Sequence, residues 1–344
     1  MPQDALWEGF FADHYGHSRD AETIWRRSGV RTRHGVADPR VDDVSQWSTS
    51  ARMRRFVTEA LPLGKEAVSA CLADAGLDAR DVDQLTVASC TGYATPGLDI
   101  LLARDLGMRS DAQRLHVGHM GCYAAIPALA TVADAARARG SVGILACVEL
   151  TSLHIQPTGA SGDRDADREQ MVAHALFSDA AAAIAVTPTA GDGGEGPGLE
   201  VLGFTARTLS DAAELMTWDV TDLGFRMGLS SRVPRVLAGH VVAAVDELCA
   251  RQGLTRAGVH HWAVHPGGPR IVDVVADRLG LDEQAVAASR ATLADHGNCS
   301  SATVLLILDR LRRSGAVQAG DHVVAMAFGP GLTLYAALLR ARSG

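Results

Sequence analysis

The sequence predicts an α/β protein built in layers around buried sheet, on three observations. Short apolar strands alternate with longer helical patterns, and the strands are too uniformly apolar to have one wet face. The order strand, glycine-marked turn, buried helix, strand occurs once in each half, which implies a structural duplication although the letters barely repeat. At 344 residues the chain has room for two domain-sized units, and 47% apolar residues can supply a sizeable core.

The elements follow in order. Up to about residue 50 the chain reads as polar and irregular, with one helix over 20–28 and a basic cluster at Arg26, Arg27, Arg31 and Arg33. A helical pattern over 50–77 feeds the strand LTVAS at 85–89. A helix over 96–106, a short strand over 114–118, an alanine-rich helix over 122–139 and a buried strand over 142–148 come next. The apolar run 175–188 reads as a further strand, and TAGDGGEGP at 189–197 as a loop between units 1–190 and 195–344. The second unit offers a strand over 199–207, a long helix over 233–252 and a strand ending at His265. Helices over 269–279 and 297–312 and strands over 322–327 and 332–340 complete it.

Composition excludes several classes. A net charge of −8 with 32 Lys and Arg and no long basic block gives no electrostatic basis for nucleic-acid binding, though a local patch could hold a small anion. The acidic amino terminus is unlike a signal peptide, and no run of about 20 apolar residues offers a membrane span. Six scattered cysteines lack metal-ligand spacing, so the expectation is a reduced, cytoplasmic enzyme without a metal.

Three residues could carry chemistry together. Cys122 follows a strand at the first turn of a helix, where backbone N–H groups and the helix dipole favour a thiolate; it reads either as an acyl-accepting nucleophile or as a buried structural cysteine. Pro127, one turn later, suggests a kink or a helix that begins late. His265 ends an apolar strand and opens onto the turn PGGP; alone it could equally be a solvated or core histidine. Asn298 follows Gly297 and reads either as a helix N-cap or as an amide donor. A thiol, an imidazole and an amide suffice to form an acyl thioester and to hold an enolate oxygen on a second thioester. Such a site makes carbon–carbon bonds.

The letters carry more than the spacing. SCTGYATPG at 89–97, GC at 121–122, ALFSDAAAA at 175–183, HPGGPRIVD at 265–273, GNCSSATVLLILD at 297–309 and FGPGLTL at 328–334 resemble, in order, the blocks of the type III polyketide synthases, the chalcone and stilbene synthase relatives. The resemblance covers about residues 50–344, and WDVTDLGFR is similar to bacterial members. It implies a thiolase-like fold of two duplicated halves in an α-β-α-β-α arrangement. It makes Cys122 the nucleophile, His265 and Asn298 the decarboxylation and oxyanion pair, and Phe177 a gatekeeper aromatic. Met227, with Phe225 two residues away, falls at the second gatekeeper, and Ser300 matches a cavity serine. His154 and Trp218 stand where chalcone-forming relatives keep small residues, which argues for a reduced pocket and against a coumaroyl starter.

The resemblance also places Cys90 near the cavity, in a packing or tuning role, and Glu149 as a residue that orients backbone. Thr95, with Pro96, lies on a loop that reaches across a homodimer. Arg27, Arg31 and Arg33 match a basic segment that grips coenzyme A phosphates. The family's usual opening strand, "I-x-G-x-G/A", is not seen before the first helix here: either the start codon is placed too late, or the enzyme lacks an edge strand and leaves a strand edge to be covered otherwise. The expected activity loads an acyl-CoA starter on Cys122, condenses it repeatedly with malonyl-CoA and cyclises the product to a pyrone or a resorcinol-type phenolic. The expectation includes no cofactor beyond coenzyme A thioesters as substrates, and it leaves room for a carrier-protein-bound starter. Two alternatives are a single-condensation ketoacyl synthase of the initiating type, which normally lacks HPGGP, and a non-catalytic partner that kept the fold.

Overall fold

The computed structural model describes residues 1–157, 159, 164–188 and 198–342. The loop expected at 189–197 lies outside the described residues. Strands β1 (Gln84–Ala88), β2 (Gln113–Val117), β3 (Gly143–Glu149) and β4 (Ala180–Val186) form one sheet in the order β2-β1-β3-β4. Strands β5 (Gly198–Thr208), β8 (His261–Val264), β9 (His322–Gly329) and β10 (Thr333–Arg342) form a second, in the order β5-β10-β9-β8. Between them in sequence, β6 (Met216–Thr221) and β7 (Gly224–Leu229) make a separate hairpin.

The duplication is visible in the pairing. β1 runs parallel to β3 and β3 antiparallel to β4; β8 runs parallel to β9 and β9 antiparallel to β10. The helix before β3, Ala125–Arg139, and the helix before β9, Ala302–Arg313, lie side by side between the two sheets and touch both. Their small residues, Ala124, Ala125, Ala128 and Ala302, let the layers approach, while Leu129, Leu305 and Ile307 fill the space. Thr49–Ala75 and Leu98–Leu106 cover the outer face of the first sheet, and Val241–Ala250 covers that of the second. This is the thiolase-like layering. Among the described residues no helix is long and apolar enough to cross a membrane.

Several elements differ from expectation. The amino terminus is helical from Gln3 to His14, because Leu6, Trp7 and Phe11 bury themselves against Trp25 despite the polar residues around them. The apolar run 175–188 is divided: Ala175 and Leu176 close the helix Arg164–Leu176, and only 180–186 is strand. The stretch 233–252 breaks into Val233–Ala238 and Val241–Ala250 at Gly239. The helix Glu283–His296 and the β6–β7 hairpin had no strong apolar period to announce them.

Arg33 pins the amino-terminal segment. Its guanidinium is buried, lies 4.8 Å over the Trp25 ring, and donates to Gln3 Oε1 (2.8 and 2.5 Å), His174 O (2.6 Å), Ala175 O (2.7 Å) and Phe177 O (3.0 Å). The expectation that Arg33 grips phosphate is therefore corrected: its donors are spent on carbonyls inside the protein. Arg27 and Arg31 are exposed, and Arg31 pairs with Asp295 at 2.6 Å. Arg33→Ala, which leaves His174 O and Phe177 O without that donor while Ala175 O keeps Gln3 Nε2, should cost about 2–5 kcal/mol in urea unfolding. Arg27→Ala should stay within about 0.5 kcal/mol. An Arg33→Ala protein of unchanged stability that binds coenzyme A thioesters poorly would restore the phosphate role.

Candidate active site

Cys122, His265 and Asn298 come from three separate turns. Cys122 sits in the 3-10 turn Gly121–Tyr123, which the helix Ala125–Arg139 follows, with Pro127 in its first turn. Gly121 has φ +71°, and a Cβ there would stand 2.7 Å from Pro330 Cδ, so the turn that presents the cysteine needs glycine. His265 immediately follows β8, its N–H bonded to Met326 O (2.8 Å). Asn298 is not an N-cap: the helix begins at Ala302 with Ser301 before it. Gly297, at φ +74° and packed on Leu176 O and Ser178 Cβ, lets Asn298 form a bridge with Phe177 instead.

The Cys122 thiol lies 4.0 Å from Asn298 Oδ1. That oxygen also accepts the Ser300 N–H at 2.9 Å, which fixes the amide and leaves its NH₂ as the donating end. Among the described residues neither ring nitrogen of His265 has a hydrogen-bond partner, although the side chain is fully buried. Burial pushes the Cys122 thiol up to about 12, outweighing the Ser300 and Asn298 hydrogen bonds that favour the thiolate. It pulls the His265 imidazole down to about 3. Burial thus works toward the neutral thiol and the neutral imidazole, against the pull toward thiolate expected from the helix start.

Glu149 organises the surroundings. It is fully buried and accepts from Ser301 Oγ (2.5 Å), Thr91 Oγ1 (2.8 Å) and Cys90 N–H (3.0 Å). Cys90 Sγ is 3.6 Å from either carboxyl oxygen and 3.2 Å from Ser300 Oγ. Cys90 O accepts from Trp218 Nε1 at 2.7 Å, which ties the loop after β1 to the hairpin. Burial raises the Glu149 carboxyl above its ordinary value, against the pull of its donors.

The hairpin forms a wall. Trp218 pairs across it with Met227, and Phe225 stands two residues along β7, stacked on His154 at 4.6 Å and 10°. Trp218 also meets His154 edge-on at 5.7 Å and Phe177 at 6.1 Å. His154 Nε2 donates to Thr91 O (2.7 Å) and Nδ1 accepts from Phe225 N–H (2.9 Å); burial holds the ring down to about 4, so it is neutral and structural. A cavity of about 50 Å³ has Phe177, Trp218, His154, Phe225 and Met227 on one side and amino-terminal residues such as Phe11 on the other, while Cys122, His265 and Asn298 do not line it. Thr95 is exposed on its own chain, with its hydroxyl 3.3 Å from Tyr93 Oη. Thr91 and Ser301 were legible only as letters inside the CTG and CSS blocks, and nothing local announced Phe225 as the partner of His154.

The chain matches the family models for the N-terminal domain of chalcone and stilbene synthases over residues 12–190 and for the C-terminal domain over residues 202–343. It is 33% identical over 331 residues to a 3,5-dihydroxyphenylacetyl-CoA synthase of Streptomyces toyocaensis, covering 94% of this chain and 83% of that one. It is 35% identical over 316 residues to a 1,3,6,8-tetrahydroxynaphthalene synthase of Streptomyces peucetius subsp. caesius, covering 91% and 81%. The crystal structure of 1,3,6,8-tetrahydroxynaphthalene synthase from Streptomyces coelicolor A3(2), a bacterial type III polyketide synthase, superposes with a TM-score of 0.90 at 27% identity, over 100% of this chain and 96% of that one. With two sheets sandwiching paired helices and both halves of the family matched in order, this chain belongs to the chalcone and stilbene synthase family of type III polyketide synthases, acyltransferases that form carbon–carbon bonds.

Proposed function

We propose that the protein loads a small acyl group from coenzyme A onto Cys122, extends it by repeated decarboxylative condensation with malonyl-CoA, and cyclises the chain to a polyhydroxylated aromatic or a pyrone. The observation that carries this is a buried thiol 4.0 Å from an amide oxygen that is already held, in a chain that also carries, on the turn after β8, a buried imidazole with neither nitrogen paired among the described residues. Relatives named for phenolic products, and a cavity wall filled by Trp218, His154 and Phe225, support a compact aromatic product and a small starter. Coenzyme A thioesters are the substrates in this scheme, and it calls on no resident cofactor.

In loading, the Cys122 sulfur adds to the thioester carbonyl while its proton passes to His265, and the coenzyme A thiol leaves with that proton. Both groups start and end neutral, so the buried site avoids holding a separated charge at rest. In extension, malonyl-CoA loses CO₂. The enolate oxygen takes hydrogen bonds from His265 and the Asn298 NH₂, and the enolate carbon attacks the Cys122 thioester, freeing Cys122 as a thiolate and leaving a lengthened coenzyme A thioester. The thiolate takes up that acyl chain again for the next round, as the coenzyme A sulfur leaves and is protonated by water. The amide oxygen of Asn298, bonded to the Ser300 N–H, cannot turn toward the enolate without losing that bond.

Cys122→Ala should abolish the acyl adduct seen by intact-protein mass spectrometry; an undiminished adduct would move the nucleophile elsewhere. Asn298→Ala should slow malonyl-CoA decarboxylation about 100-fold or more, as expected for losing one oxyanion donor, and starter loading far less. Equal small effects would leave Asn298 a purely structural residue. Trp218→Gly should admit bulkier starters and shift the product masses, whereas an unchanged product spectrum would place the wall outside the reaction cavity.

A further inference from the structure

Arg52, in the first turn of the helix Thr49–Ala75, is 0% exposed. Its Nε donates to Trp47 O (2.8 Å), its Nη2 to Ser45 O (3.0 Å), and its Nη1 to both Leu153 O and Ile155 O, the latter at 3.0 Å. Among the described residues, four carbonyls and no carboxylate accept from it. A buried guanidinium in that setting fixes the turns whose carbonyls it holds, because those oxygens would be left unpaired without it. Burial draws it down to about 10, so it keeps its charge at neutral pH.

The two carbonyls that share Nη1 flank His154. The imidazole between them has both nitrogens committed, one to Thr91 O beside Cys90 and the other to the Phe225 N–H of the hairpin. The Arg52 stem also packs under the hairpin turn: a Cβ at Gly224 would stand 2.6 Å from Arg52 Cδ and 2.9 Å from His154 Nδ1. Arg52 is therefore joined to the cavity wall through one fixed turn and one fixed ring, without touching the cavity.

We propose that Arg52 is a positioning residue that governs how long a chain the cavity accommodates, by clamping the backbone on both sides of His154. The inference rests on the iterative condensation described above. Without the fork, the turn carrying His154 relaxes, and the ring passes the shift to Phe225 and to the loop holding Cys90 and Trp218. Single-methylene differences in a pocket change discrimination about tenfold or more, so a small displacement of this wall has a visible effect on products.

The test compares wild type, Arg52→Lys, which keeps the charge and loses the fork, and Arg52→Gln. Products made from malonyl-CoA and a panel of acyl-CoAs are sorted by number of extensions and normalised to acyl-Cys122. Hydrogen exchange at the Phe225 amide is followed in parallel. The expected result is a shift of about threefold or more in the ratio of chain lengths, with faster exchange at Phe225 and acyl loading within about twofold of wild type. A purely structural role would lower the yield of folded enzyme and leave the ratio per acylated enzyme unchanged, which overturns the proposal. If neither Arg52 variant folds, Gly224→Ala, whose methyl would displace the Arg52 stem, decides by the same ratio. A wild type without multiply extended products would refute the iterative reading instead; Phe225 exchange would then judge the clamp, unchanged exchange in the Arg52 variants overturning it.

Discussion

A carboxyl group that is fully buried must be met by donors, and the way Glu149 is met organises the rest of the site. Its donors come from the loop after β1 and, through Ser301, from the start of the helix Ala302–Arg313 in the other half of the chain. Satisfying one carboxyl therefore sets the register of the two halves where Cys122 and Asn298 face each other. The same loop presents Cys90 O to Trp218, so the position of the cavity wall follows from the same constraint.

The duplicated layers explain why chemistry collects there. Each half sends one buried helix into the middle layer, and the two turns that precede those helices converge. Burial then acts oppositely on the two titratable partners, raising Cys122 and lowering His265. In the proposed reaction the thiol passes its proton on as it attacks, and the developing oxyanion stands in a medium where hydrogen-bond donors count for more than in water.

Much of this was legible in the sequence because the buried strands read as unbroken apolar runs and the helices between them as alanine-rich or amphipathic. β1, β3 and the helix Pro269–Leu279 were placed to within one or two residues. The amino-terminal helix was not, because the short run LWEGFF is broken by Glu8 and Gly9, and Trp7 and Phe11 acquire meaning only against Trp25. The β6–β7 hairpin was hidden for a related reason: Trp218, Phe225 and Met227 stand among polar residues and glycines in two short strands, so no period marks them. Cys122, His265 and Asn298 stood out through their glycine turns, whereas Arg33 read as a surface cation because burial of a charge is decided by distant carbonyls that no local pattern encodes.

The central claim is that Cys122 is the seat of repeated decarboxylative condensation. The most direct measurement incubates the enzyme with uniformly ¹³C-labelled malonyl-CoA, alone and with unlabelled short acyl-CoAs, and reads product masses. The account predicts pyrones or phenolics whose mass increments count more than one two-carbon extension per starter, each extension accompanied by release of one labelled CO₂. Products that carry a single two-carbon increment, whatever the starter, would contradict it.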